Sequence, residues 1–294
     1  MRRQIVLLVL VLGLCCTGAF ADLTLESGLG YVQMPSAEVA KKGDWHLSGG
    51  YLSLGGTSEL SGLGIPTPCD GDAYKISVAT GILKSADLSA SVIAVDKSYG
   101  TATAFNMCSK FKVMEKPSAG LALTVGSMFT LWSSDMERGV GGGQYLDIDL
   151  PGVSSMFIVL DKNWETGLPG DRKVKASIGA MYDYYGESRQ ILRNPPAPLF
   201  VPPGLPIDST GLVAKERFLQ PFGAFEYKSG GWTVVGEYKP KLRESNFTYR
   251  SEVWSVAVRR DLPGGLTVSG GLSNYNIPYT DSDAEFFVNG TFNF

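Results

Sequence analysis

The sequence predicts an all-β fold, a transmembrane, antiparallel, up-and-down β-barrel of about 12 strands. Three observations predict it. Strand-length segments alternate apolar and polar side chains, the connections between them alternate in length, and the chain ends on the strand pattern EFFVNGTFNF. Successive strand side chains point to opposite faces, so each segment has an apolar and a polar face. A membrane barrel requires this pattern, with its apolar face toward lipid.

The chain begins with the pattern of a secretory signal peptide. Two arginines precede an apolar run, and an A-x-A cleavage pattern ends at Ala21. The run is too short to cross a bilayer comfortably, which takes about 20 residues. We expect residues 1–21 to be a signal peptide, residues 22–44 a periplasmic lead-in, and residues 45–294 the barrel.

Composition narrows the function classes. Removal of Arg2 and Arg3 with the leader takes the 26 basic residues to 24, against 29 acidic ones. This mildly acidic chain gives no electrostatic case for nucleic acid. Glycine is abundant, at 36 residues, and the mean hydropathy of +0.04 is close to zero. Such a combination fits a protein that is apolar at every second residue.

The strand segments follow one another through the rest of the chain. They are 45–52, 74–82, 86–95, 103–113, 118–131, 144–160, 173–185, 218–228, 231–239, 250–260, 266–275 and 285–294. Pro151-Gly152 could mark a bend or a hairpin turn, so 10 or 14 strands remain open. The alternative fold is a soluble β-sandwich, which also alternates but leaves one face of each sheet wet.

The connections place the barrel in a membrane. LKS, MEKP, KSGG and DLPGG are short turns, whereas the loops at 53–73, 132–143, 186–217, 240–249 and 276–284 are longer. Transmembrane barrels have short periplasmic turns, longer extracellular loops and aromatic girdles. Aromatic residues stand at the predicted strand ends: Trp45, Tyr51, Tyr184, Trp232, Tyr238 and Phe294. We expect the outer membrane of a Gram-negative bacterium.

The final residues GTFNF resemble the C-terminal assembly signal of bacterial outer-membrane barrels, with Gly290, Phe292 and Phe294 in matching roles. The resemblance implies the barrel assembly machinery as a partner. Outer-membrane lipid and lipopolysaccharide are the other expected partners. Arg189, Arg193, Lys215 and Arg217 border the proline-rich loop 186–217, where positive charge would favour anionic solutes or lipopolysaccharide phosphates.

Residues 27–51, SGLGYVQMPSAEVAKKGDWHLSGGY, carry a second resemblance. Gly30, Met-Pro-Ser-Ala at 34–37 and Gly43 are similar to the N-terminal stretch of the YjbH-like outer-membrane proteins, which are linked to exopolysaccharide production. The resemblance implies a role in export of a sugar polymer. Read physically, Pro35 and Gly43 suit a turn that leads into the first strand.

Polar residues on the non-lipid face are the candidate lumen residues: Lys75, Lys173, Lys175, Asp183, Glu237, Lys239 and Arg259, with His46 and Ser48. Charged rings tune the selectivity of a pore, but the same charges could pair and plug a narrow barrel. About eight strands give a filled barrel and 16 or more a channel, so 12 strands allow both. We expect a narrow channel for small polar solutes or polysaccharide. The alternative is a non-conducting structural barrel that acts through its outer loops.

His46 and Ser48 also raise a catalytic alternative. Outer-membrane phospholipases are similar in placing a histidine and a serine at this spacing on a 12-stranded barrel, where the histidine activates the serine. Here Trp45 and Leu47 take the lipid face, so the pair would point into the lumen. We therefore expect a polar lumen pair and no enzyme.

The remaining candidates are cysteines and loop acids. An exported location permits a disulfide between Cys69 and Cys108, with two unpaired thiols as the alternative. Asp70, Asp72, Asp281 and Asp283 could bind Ca²⁺, but aspartate is a normal turn residue. We expect no metal and no cofactor.

Overall fold

The computed structural model describes residues 30, 32–54, 57–59, 66–68, 71–97, 100–141, 144–149, 152–165, 172–186, 189–193, 216–240, 252–274 and 285–294. The predicted signal peptide, residues 1–21, lies outside these ranges. No helix within them has the length and apolar character needed to cross a membrane.

Twelve long strands form one closed antiparallel barrel. They are β1 (Trp45–Leu54), β2 (Gly71–Leu83), β3 (Ala86–Lys97), β4 (Gly100–Lys116), β5 (Leu121–Gly141), β6 (Val153–Glu165), β7 (Lys173–Tyr185), β8 (Glu216–Ser229), β9 (Trp232–Lys239), β10 (Val253–Asp261), β11 (Leu266–Ser273) and β12 (Glu285–Asn293). Each pairs with the next, and β12 pairs with β1. Closure leaves no free edge within the ring of 12 strands. The predicted barrel of 12 strands is confirmed, and the sandwich is excluded.

The barrel closes through the last residue of the chain. The Phe294 N–H donates to the Trp45 carbonyl at 2.8 Å, and the Trp45 N–H donates to the Phe294 carbonyl at 3.3 Å. The Phe294 ring is exposed on the outer face and lies 6.5 Å from the Phe292 ring. The terminal aromatic therefore belongs to the closing seam between β1 and β12.

Short connections collect at one end of the barrel, which we call the short-turn end. The β2–β3, β4–β5, β8–β9 and β10–β11 connections are two to four residues long. In the β8–β9 turn, Gly230 and Gly231 have φ of +57° and +78°, the left-handed conformation of a tight hairpin. At the opposite, long-loop end, residues 98–99 make an exception, because they join β3 to β4 in two residues.

The predicted strand over 144–160 is divided in the structure. Gln144–Asp149 pairs with the far part of β5 and with Arg189–Arg193, and β6 begins only at Val153. β5 has 21 residues, about twice the length that a tilted strand needs to cross a bilayer. β5 pairs with β4 as far as Met136, and only residues 137–141 pair with Gln144–Asp149 beyond the ring. Pro151, where the sequence allowed a bend or a hairpin turn, lies between Gln144–Asp149 and β6 and outside the described residues.

The two faces of the wall follow the predicted alternation. Ile76 on β2 is 60% exposed on the outer face, whereas its neighbour Lys75 is 6% exposed on the inner face. Val235 and Phe287 are apolar, although the alternation of their strands places them on the polar face. Both are buried in the interior. The inner face is therefore partly packed by apolar side chains.

Aromatic rings fill part of the interior by lying over glycines. A Cβ added at Gly126 would stand 2.3 Å from the Cζ of Phe157, and one added at Gly179 would stand 2.3 Å from the Cζ of Phe222. Only glycine leaves room for these inward-facing rings. Large side chains from neighbouring strands thus lie against the inner face of the wall.

Candidate functional site

A segment that precedes the barrel strands runs through the barrel interior. We call residues 32–42 the inner segment. Its Val32, Met34 and Ala37 are 4%, 2% and 0% exposed. The sequence predicted a periplasmic lead-in over 22–44. Within the described part of that range, residues 32–37 and Ala40 are instead buried inside the wall, where inward-facing side chains bind the backbone, whereas residues 41–43 are exposed at the short-turn end.

Glu237 on β9 binds the deepest part of the inner segment. Its carboxylate accepts three successive backbone N–H groups, from Val32 at 3.1 Å, Gln33 at 2.7 Å and Met34 at 3.0 Å. Successive amides converging on one anion form a strong, charge-assisted arrangement. It satisfies donors that a buried, non-helical backbone would otherwise leave unpaired.

Two more carboxylates repeat this arrangement on other strands. Asp161 on β6 accepts the Ala37 N–H at 2.9 Å, and Asp87 on β3 accepts the Ala40 N–H at 3.0 Å. Ser177 donates to the second Asp161 oxygen at 2.5 Å. Acids on three separate strands therefore anchor one stretch of backbone.

Basic and hydroxyl side chains bind the carbonyls of the same segment. Lys110 donates to the carbonyl of Ser36 at 3.4 Å and also to that of Glu38. Thr124 donates to the carbonyl of Ala37 at 2.8 Å. Wall side chains thus pair with five backbone N–H groups and three carbonyls of the segment, which reduces the cost of burying a coil.

The inner segment spans most of the height of the barrel. At the short-turn end, the Gly43 N–H donates to the Gly81 carbonyl at 2.9 Å. Near the other end, the Gln33 side chain donates to the hydroxyls of Ser255, at 2.8 Å, and Ser273, the last residue of β11. Contacts at both ends mean that the segment occupies the lumen rather than capping one mouth.

The chain reverses direction at the deep end of the segment. Gly30 forms an antiparallel bridge with Pro35, and Arg259 on β10 donates to the Gly30 carbonyl at 3.1 Å. The stretch from 30 to 43 is therefore a narrow loop inserted from the short-turn end.

The structure places the predicted lumen residues on the inner face or at its rims. Buried inside are His46, Ser48, Lys75, Lys175, Asp183, Glu237 and Arg259. Lys173 is exposed at the start of β7 and Lys239 is half-buried at the end of β9. Among these buried residues, Glu237, Arg259 and Lys175 contact residues 30–38. Asp183 instead accepts a hydrogen bond from the Ser155 hydroxyl at 2.6 Å.

Sequence reasoning missed three charged residues that hold the inner segment: Asp87, Asp161 and Lys110. Asp87 stands at the start of a predicted strand, in phase with Ser89 and Ser91. Asp161 falls one residue beyond a predicted strand end. Alternation was a usable signal for each, since all three share a face with small polar residues.

His46 and Ser48 each form hydrogen bonds with residues of the neighbouring strands. The ring nitrogen Nδ1 of His46 is bonded to Asn293 Oδ1. The Ser48 hydroxyl lies 2.9 Å from the Ser77 hydroxyl and donates to Asn289 Oδ1 at 3.3 Å. Both residues thus tie β1 to its two neighbours, and the absence of an enzymatic role stays a prediction.

The other candidates are placed only in part. Cys108 is buried in β4, and Cys69 lies outside the described residues, so their pairing stays a prediction. Asp72 accepts a hydrogen bond from the Tyr51 hydroxyl at 2.7 Å, whereas Asp70, Asp281 and Asp283 also lie outside the described ranges.

Comparison with solved structures supports the barrel fold. The translocator domain of autotransporter NalP from Neisseria meningitidis is similar, with a TM-score of 0.54 and 11% identity over 86% of this chain and 88% of that chain. A TodX monoaromatic hydrocarbon channel mutant has a TM-score of 0.44 and 8% identity over 95% and 96% of the two chains, too low to add weight. No family model and no curated protein matches the sequence. At these identities the likeness concerns the fold alone.

Proposed function

We propose that this protein is a narrow outer-membrane channel that is closed at rest by its own inner segment. The outer face supports the membrane location. It is apolar at mid-height, and aromatic residues stand at both ends of the wall: Trp45, Trp164, Trp232 and Phe294 at the short-turn end, and Tyr51, Tyr184, Tyr238 and Phe286 at the long-loop end. Girdles of this kind mark the two interfaces of a bilayer.

The observation that carries the proposed closure is the binding of backbone amides by Glu237, Asp161 and Asp87. A plug that serves only as filling would be held best by apolar packing, because buried charges cost desolvation. Here Val32, Met34 and Ala37 do pack in the apolar core, but three carboxylates in addition accept N–H groups of the segment's backbone. Water can take over each of these bonds when the segment moves, so the closed state is reversible in principle.

Withdrawal of the segment would leave a polar path. The three acids and the bases Lys110 and Arg259 would then line the lumen, since all five point inward. Such a mixed surface suits small polar solutes. The occupied interior also supports the second candidate function, a non-conducting structural barrel that acts through its outer loops.

A sugar polymer is the finer substrate proposal. It comes from the resemblance of residues 27–51 to YjbH-like proteins. The matching residues Met34, Ser36 and Ala37 are buried within the barrel, so the resembling stretch corresponds to the inner segment and β1. Polysaccharide as cargo is proposed on that resemblance alone.

Solute flux into liposomes separates the channel from the structural barrel. Glu237→Gln keeps the side-chain shape but exchanges one acceptor oxygen for a donor that faces backbone N–H groups. Loss of one charge-assisted bond costs about 1.5–3 kcal/mol, which weakens closure roughly tenfold or more. We expect swelling with small sugars to rise accordingly over the wild type.

The matched control is Glu252→Gln. Glu252 accepts a hydrogen bond from the Tyr238 hydroxyl at 3.0 Å on the exposed side of the wall, so sugar flux through Glu252→Gln should equal that of the wild type. A folded Glu237→Gln barrel that admits no more sugar than this control would favour the structural alternative.

A further inference from the structure

We infer that the short-turn mouth of the barrel holds a binding site for a small oxyanion, a carboxylate or phosphate group, and that Glu38 of the inner segment occupies this site in its absence. The site is a pocket of about 180 Å³ between the inner segment and the wall from β6 to β11. This volume holds about six water molecules, enough for one small anion.

The wall of this pocket is rich in cations. Lys173, Lys175, Lys228 and Arg259 line it, against two wall carboxylates, Glu226 and Asp261. Lys228 pairs with Asp261 at 2.7 Å, and Lys175 pairs with Glu226 at 3.0 Å. Among the described residues that line the pocket, the wall therefore has four cations and two carboxylates.

Glu38 of the inner segment supplies a third carboxylate at this pocket. Its carboxylate lies 3.0 Å from Lys175 Nζ. The two partners differ in exposure, since the Lys175 side chain is 7% exposed and that of Glu38 is 50% exposed. Lys175 is thus buried, whereas the carboxylate of Glu38 is exposed and can be exchanged for an anion from solution.

Exchange of Glu38 for a solute anion would loosen the inner segment. Glu38 lies between Ala37 and Ala40, whose N–H groups are bound by Asp161 and Asp87. An anion on Lys175 would remove one tether from that stretch. This link from binding to opening rests on the proposed channel function, whereas the site itself does not.

Calorimetry with the folded full-length barrel tests the site at low ionic strength, where such pairs are least screened. Inorganic phosphate and succinate are the two probes, and glycerol is the neutral comparison. Glu38→Gln removes the internal competitor and should raise the affinity for both anions about fivefold. Lys175→Gln, and Lys173→Gln at the exposed rim, should lower it severalfold.

The pair formed by Lys112 and Glu115, 3.1 Å apart, provides matched controls at the same end of the barrel. Lys112→Gln and Glu115→Gln should leave anion affinity unchanged. Equal effects of Glu38→Gln and Glu115→Gln, or heat that is the same for glycerol, would overturn the site. Anion binding as expected, together with currents that phosphate does not alter, would retain the site and reject its link to opening.

Discussion

Deletion of residues 30–42 is expected to turn a silent barrel into a conducting one in planar bilayers. The deleted stretch occupies the lumen from Gly81 to Ser273, and none of it contributes to the 12 strands of the wall. If the wild type is closed about 99% of the time, full removal raises the mean current about 100-fold. Steps of uniform size are expected, because a single fixed wall then defines the pore.

The control for this deletion removes residues 196–208, an equal length of the long β7–β8 connection. That variant should stay as silent as the wild type. Heat-modifiable migration in gels shows whether each barrel has folded. A folded barrel without residues 30–42 that passes no current would rule out the inner segment as the element that closes the lumen.

Gly81→Ala is expected to release the inner segment where it enters the barrel. A Cβ at Gly81 would stand 2.0 Å from the Lys41 carbonyl oxygen and 2.6 Å from that of Ala40. Both atoms are backbone, so the segment must move as a whole to relieve the contact. Overpacking of this kind costs about 1–3 kcal/mol. The ratio of open to closed time in single-channel records should rise roughly 5- to 150-fold.

Gly236→Ala is the matched control for this substitution. Nothing lies within 4 Å of a Cβ built at Gly236. A methyl group at Gly236 only reduces the conformational entropy of the unfolded chain. The substitution should therefore leave the stability of the fold unchanged or raise it by up to about 1 kcal/mol. Equal gating by the two variants would mean that the close approach at Gly81 does not hold the segment.

The strands of the barrel wall could be predicted from the sequence, because contact with lipid requires an apolar side chain at every second position of each strand. β2 shows this directly, with Ile76 and Val78 outside and Lys75 and Ser77 inside. The lipid face admits few exceptions, so the pattern survives without any knowledge of partners. The rule does not apply to the end of β5, because the strand continues there beyond the barrel ring, where it has no lipid contact.

The inner segment could not be found by the same reasoning. Residues 32–42 have neither a helical nor a strand period, and they are buried through hydrogen bonds to residues as distant in sequence as Glu237. Alternation shows that Glu237 faces inward, but it does not show what Glu237 binds. Non-local pairing of this kind depends on the closed barrel and leaves no local signal.

Hydrogen exchange of the intact wild-type protein tests the central claim most directly, since it reports whether residues 32–40 lie inside the barrel. Amides bound by Glu237, Asp161 and Asp87 exchange only when the segment opens. We expect peptides covering Val32–Met34, Ala37 and Ala40 to exchange on the slow timescale of the strand amides of β1 and β12. Complete exchange of these peptides at the first time point, with the strands still protected, would contradict the account.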